Sequence, residues 1–169
     1  MTPSDVAMSC GIVWKVFGDH PERLRLSSAT TMEDLRATSH IAAVRDVSLD
    51  IRRGEMLVVM GLSGSGKSTL VRCLARLLDI TSGAVTVEGR DIGKLAEAEL
   101  IDLRRKKMGM VFQSFGLLPH RTALENVAFP LEMRGQDRGS RISRARDMLA
   151  LVGLKGREGY FPRELSGGQ

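Results

Sequence analysis

No apolar run in this 169-residue chain approaches the ~20 residues that cross a bilayer as a helix, so these residues are not expected to span a membrane. The N-terminus, Met1-Thr2-Pro3-Ser4-Asp5, lacks the basic stretch followed by an apolar one that marks a secretory leader. Only two cysteines occur, Cys10 and Cys73, far apart and without metal-ligand spacing. That argues against a disulfide scaffold or a zinc site, favours a reduced cytosolic compartment, and leaves neither thiol as a catalytic candidate. His20, His40 and His120 show no ligand spacing either, and the chain has no internal repeat or low-complexity tract. What remains is the composition of one soluble globular domain, 43% hydrophobic and 27% charged. A formal charge of +5, from 25 basic and 20 acidic side chains, permits an anionic partner without requiring one.

The stretch richest in chemistry is Gly61-Leu62-Ser63-Gly64-Ser65-Gly66-Lys67-Ser68-Thr69, which fits G-x-x-x-x-G-K-[ST]. Before it, Met56-Leu57-Val58-Val59-Met60 is short and apolar, the pattern of a strand buried on both faces of a parallel sheet. After it, Leu70, Leu74, Leu77 and Leu78 recur at helical spacing, with Arg72 and Arg76 on the other face. Glycines at 61, 64 and 66 allow a close backbone approach to an anion, and the helix N-terminus adds its positive dipole end. Lys67 is placed to reach the β- and γ-phosphates of a nucleotide, and Ser68 to offer its hydroxyl to Mg2+. The competing reading, a glycine turn beside an ordinary surface lysine, is disfavoured by the strand-like and helix-like patterns that flank these residues.

Around this loop, residues 1–10 carry no pattern and are expected as a loose end. Residues 12–17 read as a strand closed by Gly18-Asp19, and residues 44–51 alternate as a half-buried one. Between them runs a polar insert of about 18–43, in which Thr30-Thr31-Met32-Glu33 fits a capping box opening a short helix. Strands follow at 84–88 and 108–112, with a polar helix at 97–106 between them. Further helices are expected at 123–133, interrupted by Pro130, and at 140–152.

A second motif, Leu165-Ser166-Gly167-Gly168-Gln169, lies about 100 residues after Lys67, with Gln113 between them directly after a strand. In this order the combination resembles the nucleotide-binding subunit of ABC transporters. The resemblance implies Walker A at 61–69, the Q-loop glutamine at Gln113 and the signature at 165–169. It implies an α/β fold of the ABC ATPase type, a P-loop NTPase with a parallel core sheet, an antiparallel β-subdomain and a helical subdomain. Residues 1–113 would form the N-terminal part of the core and 114–169 the helical subdomain of one ABC ATPase domain. ATP and Mg2+ are the implied cofactors. Lys67 and Gln113 would be catalytic, Ser68 and Gln113 would attend the metal, and Gly61, Ser63, Gly64, Ser65, Gly66, Lys67, Ser68 and Thr69 would hold the phosphates. Ser166, Gly167, Gly168 and Gln169 would close the site of a second, head-to-tail subunit. Lys15-Val16-Phe17-Gly18 is similar to the K-x-[aromatic]-G of the first strand, which makes Phe17 the adenine-stacking residue, with Trp14 the competing candidate.

The long insert, Met60-Gly61-Leu62-Ser63-Gly64-Ser65-Gly66, and Arg104-Arg105-Lys106-Lys107 before Met110-Val111-Phe112-Gln113-Ser114-Phe115 look like the subfamily importing glycine betaine, proline betaine and related osmolytes. The implied setting is the cytoplasmic face of the plasma (inner) membrane, with a transmembrane permease subunit, indirect contact with a substrate-binding protein, and no nucleic acid. The basic run at 104–107 reads first as a solvent-facing helix end, with anionic lipid contact as the second option. No apolar strand ending in Asp-Glu is present: Leu77-Leu78-Asp79 and Leu100-Ile101-Asp102 both fall on helices. A chain with this pattern reads as an N-terminal part of a transport ATPase, without the carboxylates that hold Mg2+ and polarise the attacking water. A soluble ABC-type ATPase and a non-hydrolysing nucleotide-binding module are the alternatives.

Overall fold

The structure, a computed structural model, describes residues 5–112 and 116–169, which fall into two compact units meeting in sequence at Met108 and Gly109. The first unit is built on an antiparallel sheet of β1 (Val6–Phe17), β2 (Ile41–Arg52), β3 (Ser82–Val87) and β4 (Arg90–Asp91), in the order β2-β1-β3-β4. Residues 6–10, expected as a loose end, are the first half of β1. Met8 lies opposite Ile51 on one side and Val87 on the other, and Cys10 is buried. What hides this half in the sequence is an irregularity between Cys10 and Val13, where Ile12 takes a φ of 52° and the period-2 alternation breaks.

Beyond that bulge β1 sends successive side chains to opposite faces. Val13 joins Val44, Leu70, Leu74 and Val85 in the main core. Trp14 and Val16 point the other way and are covered by the insert through Leu35, Leu24 and Leu26. Leu35 belongs to α1 (Met32–Ala37), and burying a side chain of that size contributes about 1.5–3 kcal/mol. The cap of α1 sits one residue later than expected. The Asp34 N–H donates to Thr31 Oγ1 at 3.1 Å, and the Thr31 N–H donates to Asp34 Oδ2 at 2.8 Å. His40, nearly buried, closes the insert: its Nε2 lies 2.8 Å from the Asp19 carbonyl and so carries the proton. Its ring occupies the space a Cβ on Gly18 would need, 2.4 Å away. This histidine is structural, and no group of three or more potential metal ligands occurs among the described residues.

The helix after the phosphate loop, α2 (Lys67–Leu74), ends four residues earlier than the leucine spacing predicts. Arg76 has a φ of 50°, and its guanidinium donates to the carbonyls of Ile92 at 2.8 Å and Leu95 at 3.0 Å. Arg104, from α3 (Glu97–Lys107), donates to the carbonyls of Ala75 and Arg76. Arg104 thus takes the C-terminal end of α2, where the helix dipole favours a cation, Arg76 ties that end to the loop at 92–95, and Leu77 turns out to solvent. The basic run at 104–107 is accordingly divided rather than wholly presented to solvent. Arg104 points inward, Lys106 pairs with Asp102 at 2.9 Å, and Lys107 shares Glu88 with Arg53. Those two cations hold the Glu88 carboxyl below the ordinary carboxylate range, Arg53 contributing most.

The two strands expected at 56–60 and 108–112 are not formed. Met56 and Met60 are 87% and 86% exposed and Val111 fully so. A parallel strand is stabilised by hydrogen-bonded neighbours and by cover on both faces, and no described strand lies beside either run; every pairing among the described residues is antiparallel.

In the second unit α4 (Ala123–Glu132) and α5 (Arg138–Leu151) pack together, with Ala128, Ala145 and Leu149 buried. Thr122 and Glu125 form a capping box on α4, which runs through Pro130 instead of stopping there. Two of its first-turn N–H groups are taken up from outside the helix: Ala123 donates to the Tyr160 carbonyl at 2.7 Å and Leu124 to that of Glu158 at 3.0 Å. These bonds fix the segment that leads, through a 3-10 turn at Pro162–Glu164, into residues 165–169. No helix among the described residues is long and apolar enough to cross a membrane.

Candidate functional site

Residues 61–69 form an exposed loop that turns into the first residues of α2. Gly64 and Gly66 have φ of 81° and 87°, left-handed conformations that a side chain resists. Gly66 is also pressed against β2: a Cβ there would lie 1.9 Å from the Ala43 carbonyl oxygen. This contact seats the loop on the sheet. Gly66 is the N-cap of α2, and among the described residues no side chain caps that helix. The dipole end of the helix therefore faces the loop without a competing carboxylate or hydroxyl.

Lys67 supplies the charge. Its ammonium folds back over the loop and donates to the carbonyls of Gly61 at 2.7 Å and Leu62 at 2.6 Å, with Ser65 Oγ at 3.3 Å. All three of its protons are used within the loop itself. The acceptors are oxygens arranged around a cation, an arrangement that phosphate oxygens reproduce with stronger, charge-assisted bonds. The cradle therefore fits a nucleotide phosphate group. For a metal the described residues offer the exposed hydroxyl of Ser68, with no cluster of carboxylates beside it.

The two aromatic candidates separate cleanly. Trp14 is fully buried and its Nε1 has no hydrogen-bond partner among the described residues, so its ring is core. Phe17, at the end of β1, is 44% exposed and carries the Lys15 ammonium 5.0 Å from its ring centroid. Cys10 and Cys73 are free and buried, and burial pushes both thiols up, which removes the nucleophilic thiolate.

In the second unit Ser166 to Gln169 make a closed, exposed turn. The Ser166 N–H donates to Gln169 Oε1 at 3.0 Å and the Gln169 N–H to the Ser166 carbonyl at 2.9 Å. Gln113 lies outside the described residues. The structure thus gathers the phosphate loop and Phe17 in one unit and holds the Ser-Gly-Gly-Gln turn in the other. Two contributors were missed in the sequence. The Ala43 carbonyl leaves no trace there, whereas Lys15 stands inside the K-x-[aromatic]-G pattern that pointed to Phe17.

The family model described as ABC transporter matches residues 44–169, from β2 to the last residue. The chain belongs to the ABC transporter family. Among curated ABC transporter proteins it is 66% identical over 159 residues to the trimethylamine N-oxide transport system ATP-binding protein TmoW of Ruegeria pomeroyi, covering 93% of this chain and 47% of that protein. It is 47% identical over 159 residues to the glycine betaine/proline betaine transport system ATP-binding protein ProV of Escherichia coli, covering 92% and 40%. This chain thus spans about half the length of the curated relatives it matches, or less. A solved ABC cassette, MJ0796 in a dimeric post-hydrolysis state bound to ADP and Pi, matches with a TM-score of 0.78 and 32% identity over 96% of this chain and 64% of that one. The fold class expected from the sequence, an ABC-type ATPase, is therefore shown, with its antiparallel sheet and helices formed among the described residues and its parallel core strands not.

Proposed function

We propose that this chain is the nucleotide-binding portion of an ABC importer for small methylated-amine osmolytes of the betaine and amine-oxide kind, and that ATP binds with its phosphates at 61–69. The observation that carries the reading is the Lys67 ammonium held in a ring of loop oxygens at the uncapped start of α2. Phe17 stacks on the adenine, Ser68 attends Mg2+, and Lys67 neutralises the β- and γ-phosphates. Gln113 orients the water, and Ser166, Gly167, Gly168 and Gln169 complete the site of a second subunit packed head to tail. The MJ0796 structure is a dimer, which supports that arrangement. A permease partner, a solute-binding protein acting through it and a place at the cytoplasmic membrane face belong to this reading, which the transport systems named for TmoW and ProV support. In the whole protein ATP binding and hydrolysis drive uptake. The 169-residue chain by itself carries no Asp-Glu pair at a strand end, so binding without turnover is expected of it.

Two measurements test this. The purified chain should bind ATP and lose that binding on Lys67→Ala, without sustained phosphate release. Steady turnover abolished by Lys67→Ala would contradict the division of labour. For the solute, cells lacking the gene should lose accumulation of labelled glycine betaine or trimethylamine N-oxide while methionine uptake is unaffected; the reverse pattern would overturn the osmolyte assignment.

A further inference from the structure

We propose that Lys15 is a positioning residue for the base platform, its ammonium holding the Phe17 ring in the orientation that receives adenine; the role rests on the reading of Phe17 given above. After the bulge in β1, residues 13, 15 and 17 share one face. Val13 on that face is fully buried against Leu70 and Leu74, so the face looks toward α2. Lys15 follows, half-buried, and then Phe17, 44% exposed. A partly covered cation would ordinarily be paired with a carboxylate, yet no ion pair of Lys15 occurs among the described residues. Its Nζ lies instead over the Phe17 ring, 5.0 Å from the centroid. One ring face is thus occupied by the cation, and Phe17 keeps 44% of its surface exposed, which the proposal assigns to the base.

The position of Lys15 also joins the platform to the phosphate loop. Its cross-strand partner in β2 is Val44, next to Ala43, whose carbonyl abuts Gly66. Its charge reaches α2 as well: burial raises the Cys73 thiol and Lys15 pulls it back. An aromatic at a strand end with an exposed flank loses rotational freedom when a ligand stacks on it, and a cation fixed over one face removes part of that cost beforehand.

The test uses Lys15→Met, which keeps the aliphatic stem and drops the charge, with Lys15→Arg, Phe17→Ala and the Lys15→Met/Phe17→Ala double variant. Affinities of the 169-residue chain are measured for ATP and for inorganic tripolyphosphate, which engages the loop without a base. Lys15→Met should weaken ATP about 2–5-fold, the size of an exposed cation–π contact, and leave tripolyphosphate unchanged. Lys15→Arg should restore ATP binding, and Lys15→Met should add nothing once Phe17 is alanine. Loss of tripolyphosphate in step with ATP would show a phosphate contact or a folding defect and overturn the proposal, as would full additivity in the double variant. If Phe17→Ala weakens ATP and Lys15→Met does not, the platform stands and the role of Lys15 falls. If Phe17→Ala leaves the ratio of the two affinities unchanged, the platform reading fails and takes this role with it.

Discussion

Replacing Gly66 by alanine, with Gly64→Ala as its control, separates two demands that the phosphate loop makes on glycine. Both positions are left-handed, with φ of 87° and 81°, so both variants should lose about 1–2 kcal/mol from backbone strain alone. At Gly64 nothing lies within 4 Å of the added methyl, and the cost should stop there. At Gly66 the methyl meets the Ala43 carbonyl oxygen at 1.9 Å, well inside the 3.0 Å that real Cβ contacts respect. Loop and strand must separate by roughly 1 Å, and the obstacle is backbone rather than a flexible side-chain tip. Overpacking of that kind costs about 1–3 kcal/mol more. Urea unfolding followed by circular dichroism should therefore place Gly66→Ala below Gly64→Ala, with equal m-values confirming that the same state unfolds. ATP binding should fall further in Gly66→Ala as well, because the displaced residue starts α2. Coincident midpoints and equal affinities for the two variants would refute the claim that the loop is seated on the Ala43 carbonyl.

The two aromatics should behave oppositely: Trp14→Ala loses about 3–5 kcal/mol of stability in urea unfolding, whereas Phe17→Ala barely moves the midpoint but weakens ATP binding. A large stability loss at Phe17 would count against its role as a platform. In a verified monomer Lys67→Ala should weaken ATP more than tenfold, as expected for lost charge-assisted bonds, while Ser166→Ala should have no effect if, as proposed, its turn completes the site of a second subunit. Equal losses measured by equilibrium dialysis would contradict the composite site. Acid should destabilise the fold through its caps. Hydrogen bonds from Thr31 and Thr122 hold Asp34 and Glu125 below the ordinary carboxylate range, so their contribution is complete above the unfolded-chain pKa of about 4 and is lost as pH falls through the lower folded values. Asp34→Asn with Glu125→Gln should flatten that fall in a pH series of urea midpoints, and an unchanged slope would exclude the caps as its source.

Local chemistry was legible without coordinates wherever it depends on residue identity at short spacing. G-x-x-x-x-G-K-[ST] reads as a phosphate loop because glycine, lysine and serine each have one physical task within nine residues; in the structure Lys67 folds over the loop carbonyls and Gly64 and Gly66 take left-handed backbone. Helix starts at Thr31 and Asp137 and the alternation of β2 were readable, within one to three residues, for the same reason. Tertiary structure decided everything that depends on what lies opposite. Trp14 and Phe17 are three residues apart in one strand and so on opposite faces; the insert covers the face of Trp14, while Phe17 stands at the strand end, 44% exposed. Arg76 and Arg104 looked like solvent charges until α3 and the loop at 92–95 came to the end of α2 and turned them inward. The apolar runs at 56–60 and 108–112 have strand composition, yet a strand is defined by its neighbours, and composition cannot supply them.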